Sequence, residues 1–222
     1  MADNVVFSVV RHGQTLFNEL QKVQGWCDSP LTEQGIADAQ ALGQRLADTR
    51  FTAAYSSDSG RAVATLREVL DLNPHAPSAQ SDWRLREWCY GDLEGGPGSE
   101  LHDALVQGFG ADLPMARLNA MMPEIADVLA DRDRSGRSER FDAIERRITS
   151  FFEEKGAEAY AAGGGRVLVV THAFVVKTLV YLFASDRVNE KPKIENASVT
   201  ELVYDGSGFA IGGIGLVGVS SS

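Results

Sequence analysis

Two stretches of the chain are apolar at almost every position. Residues 5–10 are interrupted only by Ser8, and residues 167–170 run Val-Leu-Val-Val without a break. A half-exposed strand alternates apolar and polar residues; these do not, so they read as strands buried on both faces of a parallel sheet. Residues 52–56 add a shorter strand. Between the strands the period changes to that of a helix. Ile36, Ala39, Gly43 and Leu46 share one stripe over 32–48, with Thr32 placed to cap it. Val63, Leu66, Val69 and Leu70 mark a second helix over 61–72, ended near Asn73-Pro74. Phe141, Ile144, Ile148, Phe151 and Phe152 mark a third over 138–154. Residues 174–183 are apolar nearly all round and predict a buried helix.

The remaining pattern is less regular. Residues 83–87 alternate large and polar side chains, as a short extended segment does. Gly95-Gly96-Pro97-Gly98 signals a loop, and from 99 to about 133 the chain looks helical but broken at Pro114 and Pro123. Residues 198–204 and 209–219, joined at Asp205-Gly206, suggest a hairpin. The expected fold is α/β: a three-layer sandwich with a mostly parallel sheet, helices on both faces and an antiparallel edge from the hairpin. One domain should span 1–222, with a helical cap inserted at about 95–136.

Composition narrows the function. A formal charge of −10 over 222 residues disfavours nucleic acid and anionic membrane surfaces as partners. The opening apolar run lacks a basic flank and stops at Arg11, and the stretch around Lys177 is too short to span a bilayer. Cys27 and Cys89 form no disulfide framework, and His75 and His102 have no neighbours at metal-ligand spacing. The expectation is a cytoplasmic protein without metal or cofactor. Monomer and homodimer both remain open.

Three polar segments follow directly on three predicted strands: Arg11-His12-Gly13-Gln14-Thr15, Ser57-Asp58-Ser59-Gly60-Arg61, and His172. If those strands are parallel, two arginines and two histidines converge where open α/β sheets place their ligands. Guanidinium forks suit phosphate or carboxylate oxygens. A neutral imidazole is a nucleophile that needs no metal for activation. A second imidazole, kept protonated, would add charge beside phosphoryl oxygens, so the set suits phosphoryl transfer. Glu87 is the natural proton donor to a leaving oxygen, although it could instead pair with Arg84 or Arg86.

These segments resemble the histidine phosphatase superfamily. The similarity extends over Arg11-His12-Gly13-Gln14-Thr15 with Asn18, Gln24-Gly25-Trp26-Cys27-Asp28-Ser29-Pro30-Leu31-Thr32, and Tyr55-Ser56-Ser57-Asp58-Ser59-Gly60-Arg61-Ala62. It continues through Leu85-Arg86-Glu87, followed by Tyr90-Gly91-Asp92-Leu93-Glu94-Gly95, then Thr171-His172 and Asn196-Ala197-Ser198-Val199-Thr200. The resemblance implies a phosphatase of small phosphomonoesters that carries the phosphoryl group on His12. Arg11, Arg61 and His172 would hold the nonbridging oxygens, Glu87 would serve as acid and then base, and Asn18 would donate to the phosphoryl group. Gln24 and Gly25 would line the substrate mouth. Many relatives have glycine after the second histidine; here Ala173-Phe174 follows, with Ala173 offering its N–H at a helix start.

Two other functions share these residues. A phosphoglycerate mutase would use the same phosphohistidine but return the phosphoryl group to a bound sugar acid. Such mutases carry an Arg- and Trp-rich segment after the glutamate, whereas residues 95–133 hold only Arg117 and Arg132 and no Trp. A silent phosphate-binding module would need neither His12 nor Glu87.

Overall fold

The computed structural model describes residues 3–218. The opening Met1-Ala2 and the last residues of the expected hairpin strand, Val219 included, lie outside the described residues.

Among the described residues six strands form one sheet: β1 (Val5–Arg11), β2 (Phe51–Ser56), β3 (Ala79–Ser81), β4 (Gly165–Thr171), β5 (Val199–Tyr204) and β6 (Phe209–Ile211). The order across the sheet is β3-β2-β4-β1-β5-β6. β1, β2, β3 and β4 run parallel, while β5 lies antiparallel to β1 and β6 antiparallel to β5. The sheet is therefore mixed, parallel in its larger part.

Eight helices accompany it among the described residues: α1 (Leu16–Glu19), α2 (Glu33–Arg45), α3 (Gly60–Leu70), α4 (Gly98–Phe109), α5 (Met115–Asn119), α6 (Met122–Arg132), α7 (Phe141–Ala161) and α8 (Ala173–Phe183). Thr32 caps α2 as its position suggests, its hydroxyl accepting from Gly35 N–H at 3.0 Å. The stretch after residue 98 is helical and broken near Pro114 and Pro123, as the sequence suggests, and each proline stands at the start of the next helix. Pro114 stands at the N-cap of α5 and Pro123 in the first turn of α6, where a missing N–H costs nothing.

Period-two alternation divides the apolar residues of the inner strands between two clusters. Val5, Phe7 and Val9 of β1, with Val167 and Val169 of β4, pack with residues of α6, α7 and α8. Val10, Leu168 and Val170 pack instead with Leu42 of α2 and Leu66 and Val69 of α3. Every one of these side chains is buried, which explains why the strands lack polar positions.

Two expected elements are corrected. Residues 83–87 are not extended. The exposed edge strand β3 comes earlier, and Trp83–Leu85 forms a 3-10 turn. Asp82 imposes it, because its carboxylate accepts both the Arg84 backbone N–H at 2.9 Å and the Arg84 guanidinium at 2.7 Å. The last strand is also shorter than expected. It ends at Ile211, where Gly212 and Gly213 begin a turn, and Gly215 adopts a positive φ of 56°. Leu216 then returns to pair with Val199 as an isolated bridge.

Candidate active site

The parallel strands bring their carboxyl ends to one edge. There His12 N–H donates to Thr171 O and Ser57 N–H to Val170 O, both at 2.9 Å. The three polar segments thus meet through the backbone itself. The imidazole rings of His12 and His172 lie edge to face, 5.2 Å apart.

His12 is buried, and its Nδ1 lies 2.8 Å from Gly13 O. A carbonyl can only accept, so Nδ1 carries the proton and Nε2 keeps its lone pair. Burial, reinforced by the charges of Arg61 and Arg11, holds the His12 pKa well below the usual 6.5. The ring is therefore neutral near pH 7. Gly13 also lets this loop pack against the start of α2, since a Cβ there would sit 2.5 Å from Gly35 O.

Arg61 is buried and almost wholly committed to the protein. Nη1 donates to Cys27 O at 2.9 Å and Asp28 Oδ1 at 2.8 Å; Nη2 donates to Gly25 O at 2.8 Å and His172 Nδ1 at 3.0 Å. Among the described residues only Nε–H is left without a partner, and it is buried. Arg11 is similar in part, with Nη1 held by Ile194 O at 2.6 Å and Nε buried and unpartnered. Buried donors of this kind call for an acceptor.

The same geometry corrects the expectation for His172. A guanidinium can only donate, so Nδ1 of His172 accepts and the ring's one proton is on Nε2. Burial first, then Arg61 and His12, push its pKa well below 6.5. His172 is neutral here, because a cation would place a second positive charge against Arg61 in a dry pocket.

Glu87 is buried at 5% exposure. Its Oε1 accepts from Trp88 N–H and its Oε2 from Phe174 N–H, each at 3.0 Å. Those bonds favour the carboxylate, but burial outweighs them and raises the pKa above 4.5. Glu87 does not pair with Arg84 or Arg86. Arg84 binds Asp82 and Glu154, and Arg86 binds Asp58. Arg147, buried on α7, instead grips the segment's backbone, donating to Arg84 O, Arg86 O and Glu87 O while paired with Glu139.

The remaining expected residues are placed as follows. Asn18 Oδ1 accepts from Thr15 N–H and Asn196 Nδ2–H, which leaves its own Nδ2 as the free end. Both ends of Gln24 are used internally, by Thr15 Oγ1 at 2.6 Å and Ser29 Oγ at 3.3 Å. Gly25 is buried behind Arg61, where a Cβ would meet Trp88 O at 2.2 Å. Gly25 has its N–H taken by Glu94 and its C=O by Arg61, whereas Gln24 keeps one amide N–H beyond the bond to Ser29. Ala173 is half-buried and opens α8, directly after the capping His172.

Three further residues escaped sequence reasoning. Glu94 accepts from the N–H groups of Gly25, Trp26, Cys27 and Tyr90, all within 2.8–3.0 Å, and so shapes the loop whose carbonyls hold Arg61. Asp28 pairs with Arg61. Ser59 Oγ lies 3.2 Å from His172 Nε2. Each lies inside or beside a motif segment, but nothing in residue type marks its partner. Among the described residues no group of three or more His, Cys, Asp or Glu is placed to hold a metal, and no helix is long and apolar enough to cross a membrane.

Fold and site together define an α/β protein with a buried cluster of two histidines and two arginines at the carboxyl edge of its parallel strands. A sequence model of the histidine phosphatase superfamily (branch 1) matches residues 7–216, and the chain belongs to that family. It is 29% identical to the mouse fructose-2,6-bisphosphatase TIGAR over 87% of this chain and 83% of that protein. A phosphoglycerate mutase from Bacillus anthracis str. Sterne superposes with a TM-score of 0.90 at 34% identity, covering 96% of this chain and 94% of the other. Bacillus stearothermophilus YhfR follows at 0.76 and 31%, covering 96% and 98%.

Proposed function

We propose that this chain hydrolyses small phosphomonoesters through a phosphohistidine on His12. The observation that carries the reading is the tautomer of His12: Nδ1–H is held by Gly13 O, so the unprotonated Nε2 is free to attack. In the first step Nε2 bonds to phosphorus and the ester P–O bond breaks. The leaving oxygen takes the proton of Glu87, whose pKa burial raises above the ordinary carboxylate value. In the second, Glu87 as carboxylate takes a proton from water, the water oxygen bonds to phosphorus, and the P–N bond breaks to release phosphate and neutral His12.

Charge on the transferring group is met by the buried Nε–H groups of Arg11 and Arg61. Arg61 acts through that single donor, and its other bonds fix the site. Asn18 offers its free Nδ2–H. Residues 95–136, holding α4, α5 and α6, form a cap that selects the alcohol portion. With Arg132 turned to Gln107 on the neighbouring helix, the cap offers few cations, which supports singly phosphorylated substrates.

A mutase reading rests on the 34% identity to a protein titled phosphoglycerate mutase, and it shares the first step. Products separate the two: hydrolysis releases inorganic phosphate, whereas a mutase returns the label to a phosphoglycerate. The test is turnover with a panel of phosphomonoesters in chelator, with acid quench to detect acid-labile phosphoprotein. Phosphate release and a labile label, both absent in His12→Ala with an unchanged melting temperature, are expected. Wild-type turnover in that variant overturns the assignment, and no phosphoprotein or turnover in the wild-type chain leaves a silent binding module.

A further inference from the structure

Ser59 occupies the N-cap of α3, a position where a serine hydroxyl ordinarily accepts from the helix's first amides. Here it does not; no side-chain cap bond is made. The hydroxyl turns instead to His172 Nε2 at 3.2 Å and to Ser57 Oγ at 2.9 Å.

A count of protons shows what is left over. His172 Nδ1 accepts from Arg61, so Nε2 carries the ring proton and donates to Ser59 Oγ. Ser57 is fully buried, and its oxygen already accepts from Ser59 N–H at 3.4 Å. For its own proton the one acceptor within reach is Ser59 Oγ. A buried hydroxyl proton without an acceptor is costly, whereas Ser59 is only half-buried. The arrangement that satisfies the buried groups thus makes Ser59 Oγ accept twice, from His172 and from Ser57. Its own O–H then remains free, next to an imidazole whose ring lies 5.2 Å from that of His12.

We propose that Ser59 is a further phosphoryl-binding residue, donating its O–H to a nonbridging oxygen of the group carried by His12. The inference rests on the phosphatase reading above and names an additional donor within it. Two accepted hydrogen bonds polarise the hydroxyl and make it the better donor. They also orient it, since both of its lone pairs are occupied.

The experiment compares Ser59→Ala and Ser59→Thr with the wild-type chain, using a phosphomonoester that the wild type hydrolyses and inorganic phosphate as competing ligand. In Ser59→Ala the KM and the phosphate inhibition constant should both rise about tenfold, as loss of a hydrogen bond to a charged group implies. Ser59→Thr should restore both, because it keeps the hydroxyl. The melting temperature should fall in Ser59→Ala, because the buried Ser57 and His172 lose their acceptor, and return toward wild type in Ser59→Thr.

Unchanged KM and inhibition constant in Ser59→Ala overturn the proposal. So does a fall in kcat alone, which would make Ser59 a prop for His172 without contact to the ligand. Neither result touches the phosphatase reading, which fails separately if the wild type forms no phosphoenzyme.

Discussion

Arg61 and His172 face each other across 3.0 Å, the guanidinium Nη2 donating to the imidazole Nδ1. One bond therefore fixes the tautomer of the second histidine and takes one of the four terminal N–H groups of the arginine. The other three go to Gly25 O, Cys27 O and Asp28.

Arg61→Lys should therefore be nearly as damaging as Arg61→Ala. An ammonium has three donors in a compact cluster and cannot span four acceptors on two loops. We expect kcat to fall on the order of 10²- to 10³-fold in both. Steady-state kinetics, with ring-nitrogen NMR of His172 to report its tautomer, is the check; a lysine variant within a few-fold of wild type would refute the role.

Glu87→Gln removes the proton donor but keeps the shape. Its effect should depend on the leaving group: large for alkyl phosphates, and smaller for p-nitrophenyl phosphate, whose phenolate leaves unaided. Because burial raises the Glu87 pKa, the wild-type alkaline limb of kcat for an alkyl phosphate should lie above the ordinary carboxylate range. That limb should vanish in the variant. Equal losses of kcat/KM on both substrates, a quantity that stops at phosphoryl transfer to His12, would remove Glu87 from acid catalysis.

Stability should depend on pH through the two histidines. Both are held well below 6.5 by burial in the folded chain, with Arg61 adding to the shift. Below about pH 6.5 the unfolded chain binds protons that the folded chain does not, so stability present above that pH is lost as pH falls. Glu87, raised by burial, has the opposite sign, its contribution being complete below 4.5 and lost as pH climbs through its folded value. Urea unfolding at pH 8, 6.5 and 5.5 should show the midpoint dropping toward acid. A smaller drop is expected in His12→Gln.

Glu94→Gln tests the scaffold. Four backbone N–H groups lose a charged acceptor, and an amide offers one oxygen where a carboxylate offers two. A destabilisation of about 1–3 kcal/mol is expected, together with lower kcat, because Gly25 O and Cys27 O would no longer be fixed against Arg61. Unaltered unfolding midpoint and kcat would show that the loop keeps its shape without this anchor.

Much of the fold was legible along the chain for a physical reason. A strand buried on both faces tolerates almost no polar residue, so β1 and β4 announce themselves, and a capped amphipathic stripe such as α2 does the same. Residues 83–87 misled because their alternation mimics a strand, while the turn there is set by the Asp82 carboxylate capturing both ends of Arg84. The breaks near the prolines at 114 and 123 were legible. Proline marks a helix boundary, and only the coordinates show on which side of it the helix lies.

The sequence by itself determined the parallel core, the order of the chemical groups along it and the edge where they would meet. Those features follow from local periodicity and from which residue comes just after each strand. The tertiary structure alone decided that Arg61 has one donor left, that His172 is neutral, that Gln24 is tied within its loop and that Ser59 faces His172. Proton positions and donor counts depend on partners as far apart in sequence as residues 61 and 172. No pattern along the chain encodes which of two ring nitrogens such a distant neighbour will reach.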